Sequence, residues 1–333
     1  MSVLTKKILI LVFLFSFSYI VAGQGVVEQG IIGQDIATQT TANQSVIGQR
    51  GVKLRVLSTA VQMAAAQIAV AQEVPVTDSA EEQSEPILQK QRLEKEISNL
   101  KKQYIGQMEE YLQQERSYEV AKDQYLRHQT LSSIEEAVNQ TRAVMKARSQ
   151  VLTTYLQLIK LKLIEAEGIE VTQKTKALNY LDLTLDKLAQ HQVTLDQIST
   201  RDQVSAAAAE FVSLEPEIEN TSYYGLSLLA VGKLQSTFDQ ARALEKKVTA
   251  ANFEPDTLIE QSEQARAVEE TNKIMSQVQT ELAQQWELLA QLEPEAMKYQ
   301  VYYRSLFEEL TPVYARLSQL VSYLDELMDY GQK

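Results

Sequence analysis

General acid–base chemistry in this 333-residue chain would rest on His128, His191 and the adjacent carboxylates Glu109 with Glu110, Glu135 with Glu136 and Glu269 with Glu270. Paired carboxylates support glycoside hydrolysis. A histidine with acidic or histidine neighbours at helical spacing supports proton transfer or metal binding. Neither pattern is complete here. No Glu stands three residues before a histidine, so the di-iron bundle motif is missing, and no H-E-x-x-H, P-loop, G-x-S-x-G or dinucleotide fingerprint occurs. There is no cysteine, which removes thiolate nucleophiles, thiolate metal sites, disulfides and an acylated lipoprotein cysteine. The chain therefore reads as non-enzymatic, with no catalytic residue, no metal and no cofactor. The carboxylates are expected on solvated helix faces, beside Lys and Arg at salt-bridge spacing. His128, next to Arg127, suits a helix C-terminus, and His191 lies in a polar patch with Gln190 and Gln192. Both are expected to be structural or exposed.

Two further patterns are candidates for binding. Tyr104, Tyr111, Tyr118 and Tyr125 recur every seven residues and share one helical stripe. They could form a row of aromatic platforms for a glycan, a peptide or another helix, or a seam whose hydroxyls stay at the wet edge. Gln107 and Gln114 are polar positions of the same seam, which weakens that core and suggests that a partner covers it. Residues 223–232 are the most apolar stretch after the N-terminus. Tyr223, Tyr224, Leu226, Leu228, Leu229 and Val231 could form a membrane-inserting tip at a turn, or a helix contact in which Gly225 and Gly232 allow close approach. The stretch is far too short to span a bilayer as a helix, so insertion would require a hairpin or an interfacial orientation.

The elements that position these residues are helices. Glycine is concentrated between Gly23 and Gly51, and from Pro86 onward helical patterning is broken only by short turns. The spacing predicts helices over 86–128, from Ser132 or Ser133 to Gly168, over 170–198, from Thr200 toward 250, then to about 292, and from Pro294 to about 330. Ser133 with Glu136 and Thr200 with Gln203 have capping-box spacing, and Gly168 suits the residue that ends a helix. Pro216 and residues 220–225 are expected to interrupt the fourth helix. Tyr299, Tyr303, Leu306, Leu310, Val313, Leu317, Leu320, Leu324 and Leu327 alternate steps of four and three, the signature of a coiled-coil seam. Leu178, Leu181, Leu185, Leu188 and Leu195 carry the same signature in the third helix. In the fifth, Val268, Met275, Leu282 and Leu289 recur every seven residues, with Val278 and Leu292 as companions. Short turns make consecutive helices antiparallel. The expected fold is all-α: an elongated antiparallel bundle or coiled coil of about six long helices, arranged as two three-helix units, 86–198 and 201–330.

Ahead of the bundle, Lys6 and Lys7 precede an unbroken apolar run from Ile8 to Ala22 with a small-residue exit at Val21, Ala22 and Gly23. That is the composition of a secretory signal over residues 1–23, or of an anchor if it is not removed. Ala69-Val70-Ala71 offers a second, weaker cleavage point. Residues 24–85 read as a low-complexity, mostly disordered Gln-, Gly- and Ala-rich segment ending in an acidic linker, with an Ala-rich short helix at 52–71.

The formal charge of −12 argues against nucleic acid as a partner. The sequence thus points to an exported helical protein, periplasmic, cell-surface or secreted. It would act in binding or as a structural spacer through helical seams, with a protein partner or a second copy, and with membrane contact through residues 8–22. The alternative is a membrane-active protein that resembles α-pore-forming toxins and inserts residues 223–232.

Overall fold

Sparse glycine and proline after residue 85 leave long stretches in which every backbone N–H can find its carbonyl four residues back. The computed structural model describes residues 85–250, 258–292 and 299–330. They form six helices and, among the described residues, no strand. These are α1, Glu85–His128; α2, Leu131–Glu165; α3, Val171–Asp196; α4, Arg201–Ala250; α5, Leu258–Gln291; and α6, Tyr299–Tyr330. The expected signal, the low-complexity segment and the turn at Asn252–Pro255 lie outside the described residues.

Side-chain pairs fix the directions. Along α1 and α2, Tyr104 meets Tyr155 and Gln107 meets Thr154, an antiparallel hairpin. Lys160 with Asp182 and Lys146 with Asp196 run α3 antiparallel to α2. Gln173 with Tyr224, Thr184 with Thr221 and Lys187 with Glu217 run α4 antiparallel to α3. Glu281 with Arg316 and Gln285 with Glu309 pair α5 with α6. Helices α1, α3 and α4 all pack on α2.

Two sequence expectations need correction. The fourth helix is not interrupted: α4 is continuous through Pro216 and residues 220–225. Pro216 removes one donor and leaves the Val212 carbonyl without its helical partner, but Pro216 is exposed, where water can take that carbonyl. The turns that follow, Thr221 to Leu228, are buried at every position, and that packing holds them helical. Helix α4 packs on α2, α3, α5 and α6. Finally, the cap of α2 is Thr130, not Ser132 or Ser133. Gln129 takes a left-handed conformation (φ 48°) that reverses the chain early, and Thr130 Oγ1 accepts the Ser133 N–H at 3.2 Å.

Other signals hold. Thr200 and Gln203 form a reciprocal capping box, with N–H donations at 3.4 Å to Thr200 Oγ1 and 3.1 Å to Gln203 Oε1. Leu310, Val313, Leu317, Leu320, Leu324 and Leu327 are all buried along α6. In α5 the buried series is Ala267, Thr271, Ile274, Val278, Leu282, Gln285 and Leu289, while Val268 and Met275 are half-buried on its flank. Helix α2 ends three residues before Gly168, which takes a left-handed conformation (φ 78°) inside the turn to α3.

Candidate functional site

The tyrosine stripe faces inward. Tyr104 and Tyr111 are only 5% and 6% exposed, and Tyr118 and Tyr125 are half-buried. The Tyr104 ring meets Tyr155 of α2 at 6.1 Å, and Tyr125 lies under the Arg201 guanidinium at 5.6 Å. The stripe is a seam on α2 rather than a row of open platforms. The polar position Gln107 has its partner within the chain: its Oε1 accepts the Thr154 hydroxyl at 2.6 Å. Gln114 is half-buried.

Residues 223–232 form no tip. They lie in the middle of α4, with Tyr224, Leu228 and Val231 fully buried, Tyr223 and Leu226 buried and Leu229 half-buried. Tyr224 donates its hydroxyl hydrogen to Gln173 Oε1 at 2.9 Å, and Tyr223 meets the Tyr303 ring of α6 at 5.2 Å. Gly225 and Gly232 bring α4 close to its neighbours. A β-carbon on Gly225 would lie 2.7 Å from Ile159, and one on Gly232 would lie 2.4 Å from Ile169. No helix among the described residues is long and apolar enough to cross a membrane.

The carboxylates stay at the surface. Glu109, Glu110, Glu135, Glu136 and Glu269 are exposed, and Glu270 lies 3.8 Å from Lys273 one turn on. His128 is exposed at the end of α1. Among the described residues, no three His, Asp or Glu side chains gather where they could hold a metal ion.

What the structure does bring together is a buried polar node on α2, α3 and α4. His191 is fully buried, although its sequence neighbours are polar. It occupies a seam position in the series Leu181, Thr184, Leu188, His191, Leu195, Ile198. Its ring lies 5.5 Å from Phe211 of α4, and its Nδ1 lies 3.6 Å from a Glu210 carboxylate oxygen. That distance is too long for a hydrogen bond, and neither ring nitrogen has a hydrogen-bond partner. Arg148 of α2 places its guanidinium carbon 3.5 Å from the centre of the same Phe211 ring, a cation–π stack. Its Nε is buried without a partner. Burial lowers the Arg148 pKa to about 10, while Tyr111, Glu215, Tyr118 and Glu115 favour its charge, so it remains a cation at neutral pH. For His191, burial is the main effect disfavouring the charged form, Arg148 adds to it, Glu210 opposes it, and the net direction is downward. Below the node, Val138, Met145, Leu195, Ile198, Val204 and Ala207 close the end of these three helices.

Only His191 left a trace in the sequence: extending the Leu181–Leu188–Leu195 register places it inside. Arg148 left none, because a lone cation beside Lys146 reads as a surface residue.

A second node is aromatic. Tyr155 is buried among tyrosines of three other helices, and Tyr104, Tyr223 and Tyr303 all act on its hydroxyl. Tyr303 in turn meets Phe307 at 4.7 Å. Burial raises the ionisation of Tyr104, Tyr155 and Tyr303 far above the ordinary phenol range.

Among the described residues, the fold is an all-α bundle of six helices that encloses Arg148 and His191 against Phe211 and a cluster of tyrosines around Tyr155. Comparison with protein-family models, with curated proteins and with solved structures gives no match.

Proposed function

We propose that this chain is an exported, non-enzymatic helical protein that binds or spaces other components of the cell envelope or the extracellular space. The observation that carries the reading is α4. Its 50 residues make a helix about 75 Å long at ~1.5 Å per residue, and four other helices pack along it. A helix braced in this way suits holding two things apart and offers long faces to a protein partner or a second copy. The basic start and apolar run at residues 6–23 support export, and the −12 charge supports a protein partner over nucleic acid.

Two measurements test the reading. A reporter that is active only outside the cytoplasm, fused after residue 30, should be active, and an inactive reporter would remove the export reading. Light scattering with small-angle X-ray scattering on the purified chain should give a long particle, as monomer or dimer, and a compact sphere would remove the spacer reading. The membrane-inserting alternative requires Tyr224, Leu228 and Val231 to leave the centre of α4. Dye release from liposomes would revive it.

A further inference from the structure

We propose that His191 is an acid-responsive latch: neutral, it lets α3 and α4 close on α2, and protonated, it loosens that end of the bundle.

The geometry carries the argument. A fully buried imidazole occupies a seam position that is otherwise filled by Leu188 and Leu195. Neither nitrogen has a hydrogen-bond partner at normal distance, so only the Glu210 carboxylate, 3.6 Å from Nδ1, is placed to hold the proton that acid would add. The charged groups facing it are few. From α2 comes the Arg148 guanidinium, stacked on the Phe211 ring that His191 also contacts. From α4 comes Glu210, whose carboxylate is 3.6 Å away with a side chain 44% exposed to solvent. Arg148 is faced in turn by Tyr111, Tyr118 and Glu115 of α1 and by Glu215 of α4. Elsewhere on α3, Lys187 pairs with Glu217 and Asp196 with Lys146, and Asp186 is exposed. Protonation would therefore place a second cation on an aromatic ring that already bears one, with a single solvated carboxylate to offset it.

The sign follows from linkage. Burial and Arg148 hold His191 below its ordinary value of 6.5, so the open state takes up the proton first as pH falls. The closed state keeps its full stability above 6.5 and loses it between 6.5 and the lower value of the buried ring. The latch lies five residues before the end of α3. Loosening it would free the turn to α4, where the Arg142 guanidinium of α2 donates to the Ile198 carbonyl at 2.9 Å.

His128 and His191 are the only histidines, so two imidazole C2–H resonances of the full chain can be followed by proton NMR from pH 8 to 4. The His191 signal is expected to hold its neutral position below the ordinary imidazole value of 6.5. In parallel, amide exchange of residues 188–214, corrected for intrinsic rates, is expected to rise at least about tenfold between pH 7.5 and 5. In His191→Leu the rise should vanish. If His191→Leu does not fold, Glu210→Gln should enlarge the rise, since it removes the carboxylate that favours the charged ring. Titration of His191 at or above 6.5, an equal rise in His191→Leu, or an unchanged or smaller rise in Glu210→Gln would overturn the proposal.

Discussion

A β-carbon on Gly168 would lie 2.5 Å from the carbonyl oxygen of Gly232. The turn between α2 and α3 touches the backbone of α4 there, and Gly168 also has φ of 78°, where an L side chain is strained. Gly168→Ala should lower stability by about 2–4 kcal/mol, from overpacking plus strain. Gly232→Ala meets the more yielding Ile169 side chain and should cost about 1–3 kcal/mol. Gly106, with nothing within 4 Å, should gain about 0.5–1 kcal/mol as Ala from helix propensity. Urea denaturation midpoints of the three variants would rank them.

The hydrogen bond between Gln107 and Thr154 joins α1 to α2 across a partly buried seam. Thr154→Val strands the Gln107 amide and should cost about 1–3 kcal/mol. Gln107→Leu combined with Thr154→Val should recover most of that loss, because two apolar groups no longer leave a polar one unpaired. A double-mutant cycle with no coupling would mean that the bond contributes nothing to the hairpin.

Arg148 is held by a ring rather than by a carboxylate. Arg148→Lys loses the flat guanidinium stack on Phe211 while keeping a buried charge, and should cost about 1–2 kcal/mol. Arg148→Met keeps volume without charge and should cost less than the lysine variant, since removing a buried charge is often neutral or stabilising. The reverse order in thermal denaturation would mean that the charge itself is required.

Alkali should unfold the protein through its tyrosines. Burial raises Tyr111 to about 12, with Glu115 adding to the effect, and raises Tyr104, Tyr155 and Tyr303 further. Each folded value exceeds the ordinary 10, so the contribution is complete below pH 10 and is lost as pH rises through the folded values. Tyrosinate absorbance at these positions should appear together with loss of helical circular dichroism. Ionisation that precedes unfolding would show that the rings are accessible.

Much of the architecture is legible in the amino-acid sequence because it depends on local physics. Sparse glycine and proline, the Thr200–Gln203 box and the Leu310–Leu327 spacing each act within one helix, and each appears in the structure as written. The same reasoning stops where two helices must meet. Residues 223–232 look like an exposed tip when their neighbours are unknown, yet α2, α3 and α6 cover them. Pro216 looks like a break, yet the buried turns beyond it hold α4 straight through. Gln107 looks like a gap awaiting another molecule, yet Thr154 of the next helix fills it.

The sequence by itself therefore determined the six helices of the described residues, most of their ends and the apolar seam of α6, since periodicity and capping are properties of neighbours along one stretch of backbone. Tertiary structure alone decided that α4 is shared along its length, that the tyrosines turn inward, and that Arg148 and His191 meet on Phe211. Those relations join residues tens of positions apart, and which helix covers a given face has no signature in a sequence until that helix has been placed.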